Sequence, residues 1–258
     1  MFWFTLKKWF FDFWDNLFFA LILNIVFDLF LAVPTLLGAL GLNISHLAGS
    51  SIFVVGVLLI FLFLAVANGF TLRITTNQRL TLSAIPEIFR RGGAQGFIFG
   101  ALQILLFWLT QIAARFYGGL NQPIGIVFML LIFWLVVFWL LIGQYFFPVS
   151  AQLDTKLSKI FRKSVIIFMD NPTFTLLVAL VSLVIMALSF LTMSLFPGIT
   201  GLLLWHQTAV KLRLYKYDYL EQHPDATNKD IPWDLLIKKD RDILGPRTIR
   251  GLIFPWKH

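Results

Sequence analysis

The chain has 258 residues, of which 59% are hydrophobic and only 13% charged, with 29 Phe, 9 Trp and a mean hydropathy of +0.82. A soluble domain of this size cannot bury that much apolar surface, which excludes a disordered chain, a nucleic-acid-binding module and an ordinary soluble enzyme and leaves a membrane protein. The net charge of +8 then reads as an orientation signal, and the absence of cysteine excludes disulfides, thiolate chemistry and Cys-ligated metal.

The first sixteen residues, MFWFTLKKWFFDFWDN, predict an interfacial helix. Thr5, Lys8, Asp12 and Asp15 recur at three- and four-residue spacing on one narrow face, while Phe2, Trp3, Trp9, Phe10, Phe13 and Trp14 fill most of the rest. The apolar run that follows outlasts a signal-peptide core and no A-x-A-like site ends it, so the segment is expected to stay uncleaved and to anchor the chain on the inner leaflet.

Six stretches then approach the roughly 20 apolar residues that cross a hydrocarbon core. They run Leu17 to Leu37, Ile52 to Leu72, Phe97 to Phe116, Ile124 to Phe147, Phe174 to Met193 and Ile199 to Leu214. The sixth is short and follows the turn Phe196-Pro197-Gly198; a kink there instead of a turn would reduce the count to five. The expected fold is all-α: a polytopic membrane helical bundle of six transmembrane helices (17–214), with an N-terminal interfacial helix (1–16) and a cytoplasmic C-terminal tail (215–258). With the N-terminus inside, only Arg115 of the 21 Lys and Arg residues falls outside, which predicts both termini on the cytoplasmic side of a bacterial inner membrane.

Within the spans, Asp28 lies about 16 Å along the helix from Leu17, where an ionised carboxylate must be neutralised, paired or hydrated. Asn24 is one turn earlier on the same face. Pro34 is expected to bend this first span and to free the carbonyl of Phe30. Gln103, His206 and Gln207 fall in the same broad layer of other spans, so the five residues form a candidate polar cluster. Such a cluster can bind a hydroxylated solute or relay a proton, or it can serve as hydrogen-bonding glue between helices. Trp108, Trp134 and Trp139 sit within spans, as lipid-facing bulk or as stacking surfaces for a sugar.

The two loops between these spans echo each other. RITTNQRLTLSAIPEIFRRGG and QLDTKLSKIFRKS share a Leu-Ser pair followed by Ile-Phe-Arg and another base, suggesting that spans two and three repeat as four and five. Each loop predicts a short amphipathic surface helix, with Arg90, Arg91, Lys159, Arg162 and Lys163 offered to lipid headgroups or to a cytoplasmic partner.

The segment Gly143 to Leu177, GQYFFPVSAQLDTKLSKIFRKSVIIFMDNPTFTLL, resembles the signature of the YesL-like bacterial membrane proteins, a family of unknown function. The residues that carry the resemblance are Tyr145, Phe147, Pro148, Ala151, Asp154, the basic run Lys156 to Lys163, Asn171 and Pro172. It implies a small polytopic protein associated with carbohydrate ABC-transporter components, and hence an accessory role in sugar uptake.

The tail from Lys211 onward mixes ten basic with seven acidic residues. Ile231, Leu235, Ile243 and Leu244 predict a short amphipathic helix opening near Ile231-Pro232 and ending at Gly245-Pro246. The segment RGLIFPWK beyond it, with Phe254 and Trp256, is expected either to fold back beneath the bundle or to dock into a cytoplasmic protein.

Catalytic and metal-binding spacings are absent: His46, His206, His223 and His258 are scattered, Ser50 and Ser51 lack a G-x-S-x-G context, and no nucleotide-binding GxxxxGK[ST] loop occurs. The chain therefore reads as a non-enzyme without cofactor or metal. The expected function is an accessory or permease-like component of solute uptake, carbohydrate by the family resemblance. The alternative is a non-transporting membrane scaffold or regulator that binds partners through its basic loops and tail. Expected partners are the lipid bilayer, ABC-transporter components or other cytoplasmic proteins and a second copy of the chain, with no nucleic acid.

Overall fold

A computed structural model describes residues 1–120, 122–227 and 230–247. Eleven α-helices and one 3-10 turn at Leu82–Ala84 account for the regular structure of these residues. Five of the helices are long and apolar enough to cross a membrane. These are α2 (Leu17–Leu42), α3 (His46–Thr75), α4 (Ile85–Gly118), α5 (Pro123–Gly143) and α8 (Pro172–Leu191). Around them lie α1 (Phe2–Asp15), α6 (Phe146–Gln152), α7 (Leu157–Asp170), α9 (Gly198–Gln222), α10 (Trp233–Leu236) and α11 (Lys238–Leu244). Local chemistry sets several starts. The Ser45 hydroxyl accepts from Ala48 N at 3.0 Å to cap α3, and Pro86, Pro123 and Pro172 open α4, α5 and α8, where a missing N–H costs nothing.

The sixth apolar stretch becomes the middle of α9, the helix most completely enclosed by protein. Leu203, Leu204, Trp205, Gln207, Thr208, Ala209, Val210 and Leu212 are all buried, against α1, α2, α3, α6 and α8. A helix walled by other helices on every side has no lipid-facing stripe to fill, so it carries Thr, Gln and His where α5 carries Leu, Ile and Phe. That is why α9 falls short of the hydropathy of the other five.

Small residues let the long helices approach closely. Pro34 does not end α2, which continues to Leu42; its ring lies against Gly56 of α3, where a Cβ would come within 2.4 Å of Pro34 Cβ. Farther along, Gly96 and Gly100 of α4 face Phe61 and Ala65 of α3 in a G-x-x-x-G arrangement.

Three expectations are corrected here. Most of the polar stripe of α1 does not face water: Thr5, Lys8 and Asp12 are buried against the protein, while Asp15 at its end is exposed, as is Trp3. Trp9 and Phe2 pack edge-on against Trp205 of α9, and Trp9 Nε1 donates to Gly201 O at 2.8 Å. Secondly, the first basic loop forms no separate surface helix, because Ile85 to Arg91 are the opening turns of the 34-residue α4. Its counterpart, α7, is a separate amphipathic helix broken from α8 at Asn171-Pro172. The echoing motifs thus sit in different local structures, one inside an unbroken helix and one before a proline break. Thirdly, the span expected over Ile124 to Phe147 lies within the apolar stretch Pro123–Gln152 but is not one continuous helix: α5 stops at Gly143, and Phe146 and Phe147 enter the buried start of the seven-residue α6.

The tail turns back onto the bundle. The predicted single helix is split at Ile237 into α10 and α11, which changes the buried face: Ile231, Ile237 and Leu244 are buried while Leu235 and Ile243 are exposed. Gly245, at φ +68°, ends α11 in a conformation that favours glycine. Phe254 and Trp256 lie outside the described residues.

Candidate functional site

The five polar residues expected to cluster are divided among separate environments. Asn24 is buried and staples the turn between α8 and α9: its Nδ2 donates to Leu195 O and Pro197 O, both at 2.9 Å, and its Oδ1 accepts from Thr200 N at 2.9 Å. Asp28, one turn on, is half-buried and has no side-chain hydrogen bond among the described residues. His206 and Gln207 are sequence neighbours, but successive side chains on a helix point about 100° apart, so they serve different partners.

Gln207 belongs to a buried amide ladder that ties three helices. Its Nε2 donates to Asn68 Oδ1 of α3 at 2.6 Å, and Asn68 Nδ2 donates to Phe147 O of α6 at 2.9 Å. Gln152 Nε2, at the end of α6, donates to Gln207 Oε1 at 2.6 Å. Sequence reading passed over Asn68 and Gln152. The signal was present in Asn68, a lone amide in the apolar run AVANGF, but Gln152 sits at a span end where a polar residue is ordinary. On the loop side of this ladder, Asn68, Arg73, Glu87, Arg91 and Ser150 line a small polar pocket of about 230 Å³. Arg73 pairs with Glu87 at 3.0 Å there, and Arg91 donates to Ala151 O at 3.0 Å.

His206 and Gln103 do share a wall. They line a largely apolar cavity of about 490 Å³ between α4, α5, α8 and α9, together with Phe99, Trp139, Ser182 and Leu183. Trp139 Nε1 donates to Gln103 Oε1 at 3.2 Å, and Trp139 stacks on Phe99 at a centroid distance of 6.2 Å. Of the three mid-span tryptophans, this is the one drawn into a polar contact, while Trp108 and Trp134 are exposed on the outer surface. Ser182 Oγ lies 2.8 Å from His206 Nε2.

The charged residues concentrate at the end of the bundle that carries the loops and tail. Lys8 Nζ lies 2.9 Å from Asp12 Oδ2 and 3.5 Å from Asp240 Oδ1 of α11. Asp240 also accepts from Lys211 Nζ at 2.9 Å and from the Tyr215 hydroxyl at 2.7 Å. Burial pushes the Asp12 carboxyl up to about 6, against the pull of the Lys8 ammonium. Burial acts upward on Asp240 too, but the Lys211 and Tyr215 hydrogen bonds outweigh it and hold that carboxyl below its ordinary value. The same end carries the sequence signature. Tyr145 OH and Thr175 Oγ1 are 2.8 Å apart. Asn171 Nδ2 donates to Tyr217 OH at 2.9 Å, and Lys216 Nζ pairs with Asp170 at 2.5 Å. Just before α7, Asp154 Oδ1 accepts from Lys156 N at 3.1 Å, with Lys159 and Lys163 each 3.6 Å from its Oδ2. Arg90, Lys159 and Arg162 are exposed, and the two basic segments are joined by Gln95 Nε2 donating to Thr155 O at 2.8 Å.

The regular structure of the described residues is all helical, with five helices long and apolar enough to cross a membrane and a more polar helix enclosed among them, which is compatible with the class of multi-pass helical membrane proteins. Within that class, no family model, curated protein or solved structure matches it.

Proposed function

We propose that this chain is a six-span protein of the bacterial inner membrane, with α9 as the sixth span and both termini in the cytoplasm, that acts as an accessory component of solute uptake through partner proteins. The orientation rests on the bias of Lys and Arg toward the loop-and-tail end. The observation that carries the accessory reading is the division of the polar groups. Asn24 and Gln207 spend their hydrogen bonds on the protein itself, one holding a turn and the other a ladder, which suits glue better than a translocation path. Exposed Arg90, Lys159 and Arg162 remain at the cytoplasmic end to meet a partner's acidic groups. The resemblance of Gly143 to Leu177 to the YesL-like family favours carbohydrate ABC-transporter components as those partners.

In mild detergent, the wild-type chain is expected to co-purify with a transporter component identified by mass spectrometry. The double variant Arg90→Glu/Arg162→Glu should lose it while keeping its own thermal unfolding midpoint. Accumulation of sugar by proteoliposomes containing this chain alone would instead establish a permease and remove the accessory reading.

A further inference from the structure

The cavity between α5 and α8 has chemistry of its own. At roughly 30 Å³ for each water-sized group, its volume of about 490 Å³ matches one hydrocarbon chain with a small head. Three of its lining residues, Leu140, Leu183 and Met186, are 63%, 57% and 46% exposed, so the mouth opens through the outward apolar faces of α5 and α8. Entry is therefore from hydrocarbon. No Lys, Arg, Asp or Glu occurs among the described lining residues, so a charged head would lose its hydration without gaining a counterion.

Hydrogen-bond accounting narrows the head group further. The Ser182 hydroxyl donates to Val178 O at 2.8 Å, which leaves its oxygen to accept from His206 Nε2 at 2.8 Å. A neutral His206 with its proton on Nε2 keeps Nδ1 as an acceptor. Gln103 Oε1 accepts from Trp139 Nε1, and the Gln103 NH₂ group is a donor with no protein partner among the described residues. Gln144 also lines the cavity; its Nε2 donates to Leu141 O at 3.0 Å, which leaves its Oε1 as a second acceptor. Two acceptors and an amide donor in a mainly apolar wall complement a group that both donates and accepts, and a hydroxyl is the simplest. A sugar has hydroxyls all round its ring and would strand most of them here.

We infer that this cavity is a binding site for a neutral, single-chain amphiphile with a hydroxyl head, entering from the bilayer between α5 and α8 with its head between His206 and Gln103. The test uses the full chain in lipid nanodiscs and two photoactivatable probes of equal length, a diazirine-bearing long-chain alcohol and the corresponding alkane. Adducts of the alcohol should concentrate on Leu140, Leu183 and Met186 and be displaced by unlabelled hexadecanol. They should fall about fivefold, the equivalent of one modest hydrogen bond, in Gln103→Leu or His206→Leu. The alkane should label all outward-facing helices without competition. Should either leucine variant fail to fold, Leu183→Trp, at an exposed position, narrows the mouth and should lower alcohol labelling alone. Labelling by the alcohol that is not displaced, that matches the alkane pattern, or that persists in folded variants would overturn the assignment.

Discussion

Replacing Lys8 with Met should release the tail from the bundle. Lys8 is almost fully buried and lies between two carboxylates, Asp12 on its own helix and Asp240 on α11. Removing a buried cation while leaving its partners costs about 3–5 kcal/mol, more than a typical surface ion pair by several-fold. After the change Lys211 alone faces both acids, at 2.9 Å from Asp240. The readout is tryptic cleavage at Lys238, Lys239 and Arg241, in and beside α11, which tracks the open population when reclosing is fast. Cleavage in Lys8→Met should rise by about two to three and a half orders of magnitude. Asp240→Asn keeps an acceptor for Lys211 and Tyr215 and should show a much smaller increase. Equal cleavage of wild type and Lys8→Met would mean that the buried pairs do not hold α11 in place.

The second large effect is expected at Gly96. Exchanging an interior helical glycine for alanine ordinarily gains up to about 1 kcal/mol in helix propensity. At Gly96 a Cβ would come within 2.7 Å of both Ala65 Cβ and the Phe61 carbonyl oxygen, and neither is the end of a flexible side chain. Gly96→Ala should therefore destabilise despite the propensity gain. Gly96→Leu should cost at least about 3 kcal/mol by forcing α3 and α4 apart. Gly118, at the far end of the same helix, has no atom within 4 Å of its Cβ position, so Gly118→Ala should be neutral or mildly stabilising. Thermal unfolding in detergent separates these cases. A stabilised Gly96→Ala would show that the two helices are not held at glycine distance.

The apolar helices were legible in the sequence because hydropathy is a local property that lipid-facing helices must display along their whole length. Residues at 17–42 and 172–191 needed only their own composition to be read. The same rule blurred α9, since a helix shielded by protein is released from it and can carry Thr200, His206 and Gln207. The stripe of Thr5, Lys8 and Asp12 was recognised as one face, but its direction depended on Asp240 and Lys211, far away in the chain. Composition gives amphipathicity without saying whether water or protein takes the polar side.

The candidate site was legible in part for a similar reason. Layer depth, counted along each span, brought Gln103 and His206 to one cavity wall. Depth carries no rotation, however, so Gln207 turned toward Asn68 and Asn24 toward the α8–α9 turn. The echo of Ile-Phe-Arg in the two loops was likewise a true feature of the sequence that did not fix local structure. Asn171-Pro172 breaks one copy, whereas α4 continues unbroken through Gly92 and Gly93.

The central claim is that α9 crosses the membrane as an enclosed sixth span. The chain contains no cysteine, so single cysteines introduced one at a time can be labelled without background. Ile44→Cys, in the connection between α2 and α3, and Leu195→Cys, between α8 and α9, should react with a membrane-impermeant maleimide on intact cells. Asp225→Cys, just beyond α9, should react only after the membrane is opened. Labelling of both the Leu195 and Asp225 variants on intact cells would contradict the sixth span and the cytoplasmic tail together, and labelling of both only after the membrane is opened would contradict the sixth span.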